Sequence, residues 1–332
     1  MCIVPSDFIR SGGSMIEVHG LTKRYGPKVA VRDLTFTVRP GIVTGFLGPN
    51  GAGKSTTMRM IAGLDAPTTG SVSLNGQRYR DSVAPMAELG ILLEARAVHT
   101  GRSAFHHLLA LAQTNGIARR RVDEVIDLVG LREVARKRVG GFSLGMGQRL
   151  GVACALLGDP HTVILDEPVN GLDPEGILWV RNLLKGLAAE GRTVFVSSHL
   201  MSEMALTADH LIVVGRGQLI ADTSVVEFVA QASGTVVLVR TPQASELWEL
   251  LTGPGVRATI VSTGQLEVRG LSAEQIGDIA WEHHIRIHEL ATQQASLEQA
   301  FMEMTRDAVE YHAYPPSEPP LGQQPAAVGG SR

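Results

Sequence analysis

The sequence predicts an α/β fold in which a largely parallel, helix-covered sheet is followed by a smaller α+β unit. The first observation is a series of short apolar, β-branched runs typical of buried strands, separated by segments with helical periodicity. These runs are 42–47, 162–165, 193–196 and 211–214. The second is a change of composition after about residue 232, where a βαββαβ order begins that is typical of a ferredoxin-like unit. We therefore expect two domains with separate cores.

Composition excludes several classes of protein. The chain has 332 residues, a formal net charge of −3 and two distant cysteines, Cys2 and Cys154. Its length is ample for two cores, and its slight acidity argues against nucleic acid as a partner. The cysteine spacing indicates neither a disulfide framework nor a zinc site. The apolar runs are far shorter than the roughly 20 residues that span a bilayer. We expect a cytoplasmic protein with any membrane role supplied by another subunit.

The domain boundaries follow from these patterns. Residues 15–221 form the predicted α/β domain, with a helical insertion at about 95–158, and residues 222–305 form the α+β accessory unit. In the accessory unit we expect a last strand at 285–290, with Val236 and Leu238 facing inward. The Gly- and Ser-containing leader 1–14 and the Pro-rich tail 306–332 are expected to be disordered.

A phosphate-binding loop follows the first of the buried strands. The chain there matches the pattern G-x-x-x-x-G-K-[ST] and continues into a helical pattern at 55–64. The predicted binding residues are Gly48, Pro49, Asn50, Gly51, Ala52, Gly53, Lys54, Ser55 and Thr56. Glycines let successive amides curl around phosphates at a helix N-terminus. Lys54 adds a charge for the β and γ phosphates, and Ser55 a hydroxyl for Mg²⁺. This predicts a nucleoside triphosphate site.

Two carboxylates end the strand at 162–165. Asp166 and Glu167 are adjacent, as in P-loop enzymes that present one carboxylate to Mg²⁺ and another to the attacking water. Asp166 is the predicted metal ligand, mostly through water. Glu167 is the predicted general base.

A further loop, Phe142-Ser-Leu-Gly-Met-Gly-Gln-Arg149, opens the next helix. Together with Asp166 and Glu167 it resembles the signature loop of the ATP-binding cassette (ABC) family. The resemblance implies that Ser143 and Gly145 meet the γ-phosphate of ATP bound to the other subunit. Leu144 and Met146 depart from the general pattern, but the form S-L-G-M-x-Q-R is similar to the drug- and antibiotic-export branch.

Other family motifs follow in order over residues 16–221. Asp173 stands in the position of the D-loop, which the resemblance places across the dimer interface. His199 matches the switch histidine, which would contact the γ-phosphate and hold Glu167. Tyr25 matches the aromatic residue that stacks on adenine.

Glu94 is a departure from the family pattern. The family has a glutamine about forty residues beyond the P-loop lysine, and this chain has a glutamate there. A carboxylate suits Mg²⁺, so we predict Glu94 as a third metal-binding residue. The alternative is an uninvolved acid exposed on a loop.

The resemblance implies an ATP-hydrolysing exporter subunit with ATP and Mg²⁺ as cofactors. It further implies a head-to-tail homodimer or paired nucleotide domain, and a separate membrane-spanning permease that holds the chain at the inner face of the membrane. Residues 296–305 are similar to the closing helix of ABC-2-type exporter ATPases. The alternatives are a soluble ABC ATPase of translation or DNA repair, and a non-catalytic regulatory cassette. The chain has a single cassette and neither long coiled coils nor zinc-binding cysteines, which argues against a translation or repair ATPase. A non-catalytic cassette is disfavoured because the predicted catalytic residues are intact, namely Lys54, Asp166, Glu167 and His199.

Overall fold

The computed structural model describes residues 15–94, 98–232, 236–293 and 296–305. The predicted leader 1–14 and tail 306–332 lie outside the described residues. The fold is mixed α/β with a P-loop core, as predicted, and the described residues form three sheets.

The elements are numbered in chain order. The strands are β1 (Ile16–Tyr25), β2 (Lys28–Val38), β3 (Val43–Leu47), β4 (Thr69–Leu74), β5 (Leu89–Leu92), β6 (Thr162–Asp166), β7 (Thr193–Ser197), β8 (His210–Gly215), β9 (Gln218–Ser224), β10 (Val236–Arg240), β11 (Arg257–Ser262), β12 (Gln265–Arg269) and β13 (Glu289–Gln293). The helices are α1 (Lys54–Ile61), α2 (Pro85–Glu88), α3 (Ala104–Thr114), α4 (Arg119–Leu128), α5 (Leu144–Leu156), α6 (Pro174–Ala189), α7 (Met201–Thr207), α8 (Val225–Ala232), α9 (Ala244–Leu251), α10 (Ala273–Glu282) and α11 (Leu297–Thr305).

The central layer is a six-stranded sheet in the order β5-β6-β7-β3-β8-β9. Its strands are parallel except for β9, which pairs antiparallel with β8. Successive side chains point to opposite faces, so each strand feeds two cores. Phe46 and Phe195 face the core beneath α1 and a separate antiparallel sheet, β2-β1-β4, with ring centroids 5.0 Å apart. Leu47 and Val196 face the core formed with α5 and α6. This arrangement places the carboxyl ends of the parallel strands, and their loops, along one edge.

The helical subdomain comprises α3, α4 and α5. Its apolar side chains, such as Leu108, Val125 and Leu150, belong to the same buried cluster as the strands of the central sheet. The helical insertion is therefore packed onto the sheet, and α5 ends just before β6, which carries Asp166.

The accessory unit contains an antiparallel sheet in the order β11-β12-β10-β13, with α9 and α10 contributing to its core. The connection β10-α9-β11-β12-α10-β13 is the βαββαβ order predicted from the sequence.

Two details of this unit correct the prediction. The last strand is Glu289–Gln293 and not 285–290, because Ile285 N–H donates to Ala280 O at the end of α10 and buries its side chain before the strand begins. The side chains of β10 that face the helices are Val237 and Val239, whereas Val236 and Leu238 were predicted. A shift of one residue exchanges the two faces of a strand.

The structure also differs from the predicted boundary at residue 222. β9 completes the central sheet, and Phe228 of α8 belongs to the large core together with Leu297 and Phe301 of α11. Phe228 is fully buried and Phe301 is 9% exposed. The accessory unit is therefore limited to 236–293, and the helices on either side of it pack into the larger domain.

This packing predicts that α11 matters more to the nucleotide domain than the accessory unit does. A chain ending after residue 232 should lose the burial of Leu297 and Phe301, on the order of 4 kcal/mol of unfolding free energy, and about 10 °C in Tm. A chain in which a short Gly-Ser linker replaces residues 233–295 should keep α11 and a Tm near that of the full chain. Thermal melts give the Tm of both shortened chains, and calorimetry shows whether each still binds ATP. Equal melting temperatures of the two shortened chains would contradict the role of α11.

Candidate functional site

The loop between β3 and α1 has a backbone that only glycine accommodates at two positions. A Cβ atom on Gly53 would lie 2.6 Å from Ala30 O, and the residue has φ +98°. A Cβ atom on Gly48 would lie 2.4 Å from Val214 O. No side chain caps α1, whose first turn contains no acidic residue. The N-terminus of α1 therefore presents main-chain donors and the positive end of the helix dipole to the loop, as a phosphate requires.

Lys54 lies against this loop. Its Nζ donates to Gly48 O at 2.6 Å and to Pro49 O at 3.3 Å, and the residue is 9% exposed. Burial lowers the pKa of the Lys54 ammonium, while the charges of Glu167 and Asp166 oppose this shift. The ammonium therefore lies near both carboxylates, and a phosphate could replace the two carbonyl acceptors.

Asp166 is held between two serine hydroxyls. Ser55 Oγ donates to Asp166 Oδ2 at 2.7 Å, and Ser197 Oγ donates to Asp166 Oδ1. The structure thus brings together the two predicted metal-binding groups, from the start of α1 and the end of β6. Ser197 also accepts from Glu167 N–H at 3.0 Å. The sequence analysis missed Ser197, although its place beside Ser198-His199 at the end of a buried strand was a usable signal.

Glu167 and His199 link the loops that follow the carboxyl ends of β6 and β7. Nδ1 of His199 lies 2.7 Å from Glu167 Oε2, and His199 N–H donates to the same oxygen at 3.2 Å. Glu167 has φ +51°, a left-handed conformation that costs a non-glycine residue about 1 kcal/mol or more. His199 is 55% exposed and Glu167 23%. The carboxylate is therefore held in one orientation while solvent still has access to the pair.

Gln148 is part of the quoted signature motif, but the sequence assigned it no role. Its Nε2 donates to Glu167 O at 3.1 Å, and the side chain is 5% exposed. It lies on α5 within the predicted signature motif, so this bond connects that motif to the backbone of the predicted base. The available signal was its place in the S-L-G-M-x-Q-R form.

Ser143 and Asp173 both cap helices. Ser143 accepts from Met146 N–H at 3.2 Å at the start of α5, and Asp173 accepts from Gly176 N–H at 2.9 Å at the start of α6. A Cβ on Gly145 would lie 3.1 Å from Gly171 O, so the two loops are in close contact. Ser143 and its neighbour Leu144 are exposed. The contact of the Ser143 loop with ATP bound to another subunit stays a prediction. The exposure of Ser143 and Leu144 leaves the loop accessible for such a contact.

Tyr25 lies at the end of β1 near the P-loop helix. Its hydroxyl donates to Asp65 Oδ2 at 3.1 Å, Lys23 Nζ lies 5.0 Å from the ring centroid, and the side chain is 48% exposed. Burial and Asp65 raise the pKa of the Tyr25 hydroxyl. The hydrogen bond to Asp65 holds the ring at its hydroxyl end and leaves room for a base on the ring face. The contact with adenine stays a prediction.

Glu94 is exposed beyond the end of β5, the edge strand of the central sheet. In the described part of the chain, no group of three or more His, Cys, Asp and Glu residues could hold a metal ion. Mg²⁺ normally takes one or two carboxylates together with phosphate and water, so the hydroxyl of Ser55 and the carboxylate of Asp166 are a fitting donor set. Glu94 as an additional ligand stays a prediction.

Comparison with known proteins agrees with this geometry. Residues 31–170 match the ABC transporter family model, and residues 235–298 match a domain of unknown function, DUF8746. The "Uncharacterized ABC transporter ATP-binding protein YhcH" of Bacillus subtilis is 37% identical over 303 residues, which cover 90% of this chain and 98% of that protein. The "Bacitracin transport ATP-binding protein BcrA" of Bacillus licheniformis is 42% identical over 212 residues, or 63% of this chain and 69% of BcrA.

A solved structure described as an "ATP binding subunit of ABC transporter" has the same fold. It superposes with a TM-score of 0.60 at 28% identity and covers 65% of this chain and 92% of its own. The alternatives outside transport are not favoured by these relatives. The P-loop, the paired carboxylates and the relatives lead to one conclusion: the chain belongs to the family of ABC transporter ATP-binding proteins, which are ATPases.

Proposed function

We propose that this chain energises an exporter of the drug and antibiotic branch by hydrolysing ATP. The observation that carries the hydrolytic role is the contact between Glu167 and His199, 2.7 Å apart, beside Asp166 and the P-loop. The transport role is supported by the similarity to a bacitracin transport protein and by the S-L-G-M-x-Q-R form of the signature loop.

The residues of the site divide the work of phosphoryl transfer. The backbone N–H groups within 48–56, except at Pro49, which has none, and the Lys54 ammonium bind and orient the phosphates. Ser55 and Asp166 would hold Mg²⁺, which would supply positive charge against the phosphate oxygens. The Glu167 carboxylate accepts the proton of the attacking water, and its two hydrogen bonds to His199 keep it aimed at that water. His199, more than half exposed, is also free to donate to the γ-phosphate.

We further propose that two copies pair head to tail. The exposed Ser143 loop of one copy would then close on the P-loop of the other, with Asp173 nearby at the interface. ATP favours the closed pair because it contacts both copies, and hydrolysis removes this preference. Such closure and opening moves a membrane partner without any covalent link to it.

The partner in this proposal is a separate permease at the inner face of the membrane. No helix in the described ranges has the length and apolar character needed to cross a bilayer. The proposed cassette therefore works from the cytoplasmic side, and the permease supplies the path for the transported compound.

Co-purification from membranes tests the transport role. The tagged chain, extracted in mild detergent, is expected to bring down a multi-helix membrane protein in a fixed ratio, identified by mass spectrometry. The Lys54→Ala variant serves as the matched control, because it should keep this partner while losing ATPase activity. A chain recovered only from the soluble fraction, with ribosomes or DNA instead of a membrane protein, would contradict the transport role.

A further inference from the structure

The helical subdomain carries exposed cations around one buried ring, that of Phe105. The Arg119 guanidinium carbon lies 5.3 Å from the ring centroid, and that of Arg136 lies 5.5 Å from it. Phe105 is 6% exposed, whereas both arginines are exposed. Stacking on an aromatic ring uses the face of a guanidinium and leaves the N–H donors at its edge available. The ring therefore fixes two arginines in place without satisfying their hydrogen bonds.

The backbone brings three more cations to the same place. Val139 N–H donates to Arg102 O at 2.9 Å, and Ser103 pairs with Arg138 in an isolated antiparallel bridge. The segment before α3 thus runs alongside residues 136–139. We call the resulting set the arginine cluster. It consists of Arg102, Arg119, Arg136, Lys137 and Arg138, all exposed.

Three other arginines of the subdomain have acidic partners, which the described members of the arginine cluster lack. Arg120 pairs with Glu124, Arg121 with Glu124 and Asp159, and Arg132 with Asp127. Among the described residues, no member of the cluster has an ion pair with a carboxylate. Cations grouped without counter-charges repel one another, although the chain as a whole has a formal charge of −3. An anionic partner would remove this repulsion.

We propose that the arginine cluster binds the phosphate groups of anionic phospholipids at the membrane surface. Guanidinium groups match phosphate oxygens through two parallel hydrogen bonds. A cluster of four to eight basic side chains is also the size that binds the anionic surface of a cytoplasmic leaflet. The cassette would then contact the bilayer directly, in addition to any contact through a permease.

The surface around the cluster favours headgroups over a protein partner. Protein interfaces normally have a desolvated, apolar or aromatic centre. In the described part of 98–158, the exposed large apolar side chains are Leu128 and Leu144, and neither belongs to the cluster. Phe105 is covered and offers no anchor. A charged surface without an apolar centre suits a layer of headgroups, where affinity comes from many separate phosphate contacts.

Vesicle co-sedimentation of the full chain tests this inference. Wild type is expected to bind vesicles of phosphatidylcholine and phosphatidylglycerol mixed in equal parts, and not pure phosphatidylcholine, with binding that weakens as salt is added. The double variant Arg119→Gln/Arg136→Gln should bind the mixed vesicles about 30-fold more weakly. The matched control Arg120→Gln/Arg132→Gln removes two paired arginines of the same subdomain and should bind within a few-fold of wild type.

Circular dichroism confirms that each variant is folded, and Arg102→Gln/Arg138→Gln repeats the test without disturbing the contacts to Phe105. ATPase activity in solution should be unchanged in all of them, so loss of lipid binding and failure of the hydrolytic role are distinguishable. Equal weakening in the control would show that total charge, and not the cluster, is responsible. Wild type that ignores phosphatidylglycerol but binds an acidic peptide through Arg119 and Arg136 would overturn the inference in favour of a protein partner.

Discussion

Replacing Glu167 with glutamine is expected to lower ATP turnover by about 10²- to 10⁴-fold, the usual effect of losing a general base. The amide keeps the shape of the side chain and can still hydrogen-bond His199, but it cannot take the proton of the attacking water. ATP binding should be preserved, because the phosphates are held by the P-loop and Lys54. Steady-state ATPase assays give the rate, and titration calorimetry gives the affinity. Sedimentation with ATP should show the dimer accumulating, since it can close but not hydrolyse.

A matched control separates this effect from a general loss of negative charge. Glu133 is an exposed glutamate of the helical subdomain, and Glu133→Gln should turn over ATP like wild type. Near-normal hydrolysis by Glu167→Gln would remove Glu167 from the role of base and leave its bonds to His199 with only a positioning function.

Mixing two inactive variants should restore activity if each site is built from two copies. Lys54→Ala removes the phosphate-binding charge of one P-loop, and Ser143→Arg blocks one signature loop. Each mixed dimer then contains one doubly damaged site and one intact site, so it should turn over ATP at about half the wild-type rate per dimer. Neither variant alone should be active. Subunit exchange is followed with two different affinity tags, and activity is measured on the doubly purified dimer.

The capping role of Ser143 makes a control necessary. Losing the bond from Met146 N–H costs about 1 kcal/mol of stability in any copy, whether or not the loop acts on a partner. Ser143→Thr keeps a capping hydroxyl and should retain activity on its own. If purified mixed dimers are as inactive as the separate variants, each active site lies within one copy and the head-to-tail arrangement is wrong.

Local patterns predicted most of the fold and the centre of the site. The β-branched runs located β3, β6, β7 and β8 to within one or two residues, because burial on both faces leaves a continuous apolar run. The loop between β3 and α1 was predictable because phosphate-binding loops have glycine, lysine and serine at fixed spacing, and the structure leaves no room for a Cβ at Gly48 and Gly53. The binding of phosphate by this loop stays a prediction.

What escaped prediction depends on contacts between distant segments. The bond from Gln148 to the backbone of Glu167 and the bonds of Ser197 to Asp166 and Glu167 join separate elements. Their neighbours in the sequence mark the two residues, but not the groups to which they bond. Ile285 is apolar enough for a strand, yet it packs against the end of α10 instead. The face of β10 was shifted by one residue because the continuous apolar run Val236-Val-Leu-Val239 has no alternation to indicate which side is inward.

The position of α11 in the large core has a consequence for the order of synthesis. Residues 297–305 leave the ribosome after the whole of 236–293, yet Leu297, Ala300 and Phe301 fill space beside Phe228 and Met204 in the nucleotide domain. The earlier part of the chain must therefore wait, with this apolar surface uncovered, until the accessory unit has been translated. Such delayed, long-range closure slows folding and exposes the nascent chain to aggregation. An accessory unit that folds by itself during this interval would bring the two helices back together and shorten the exposure.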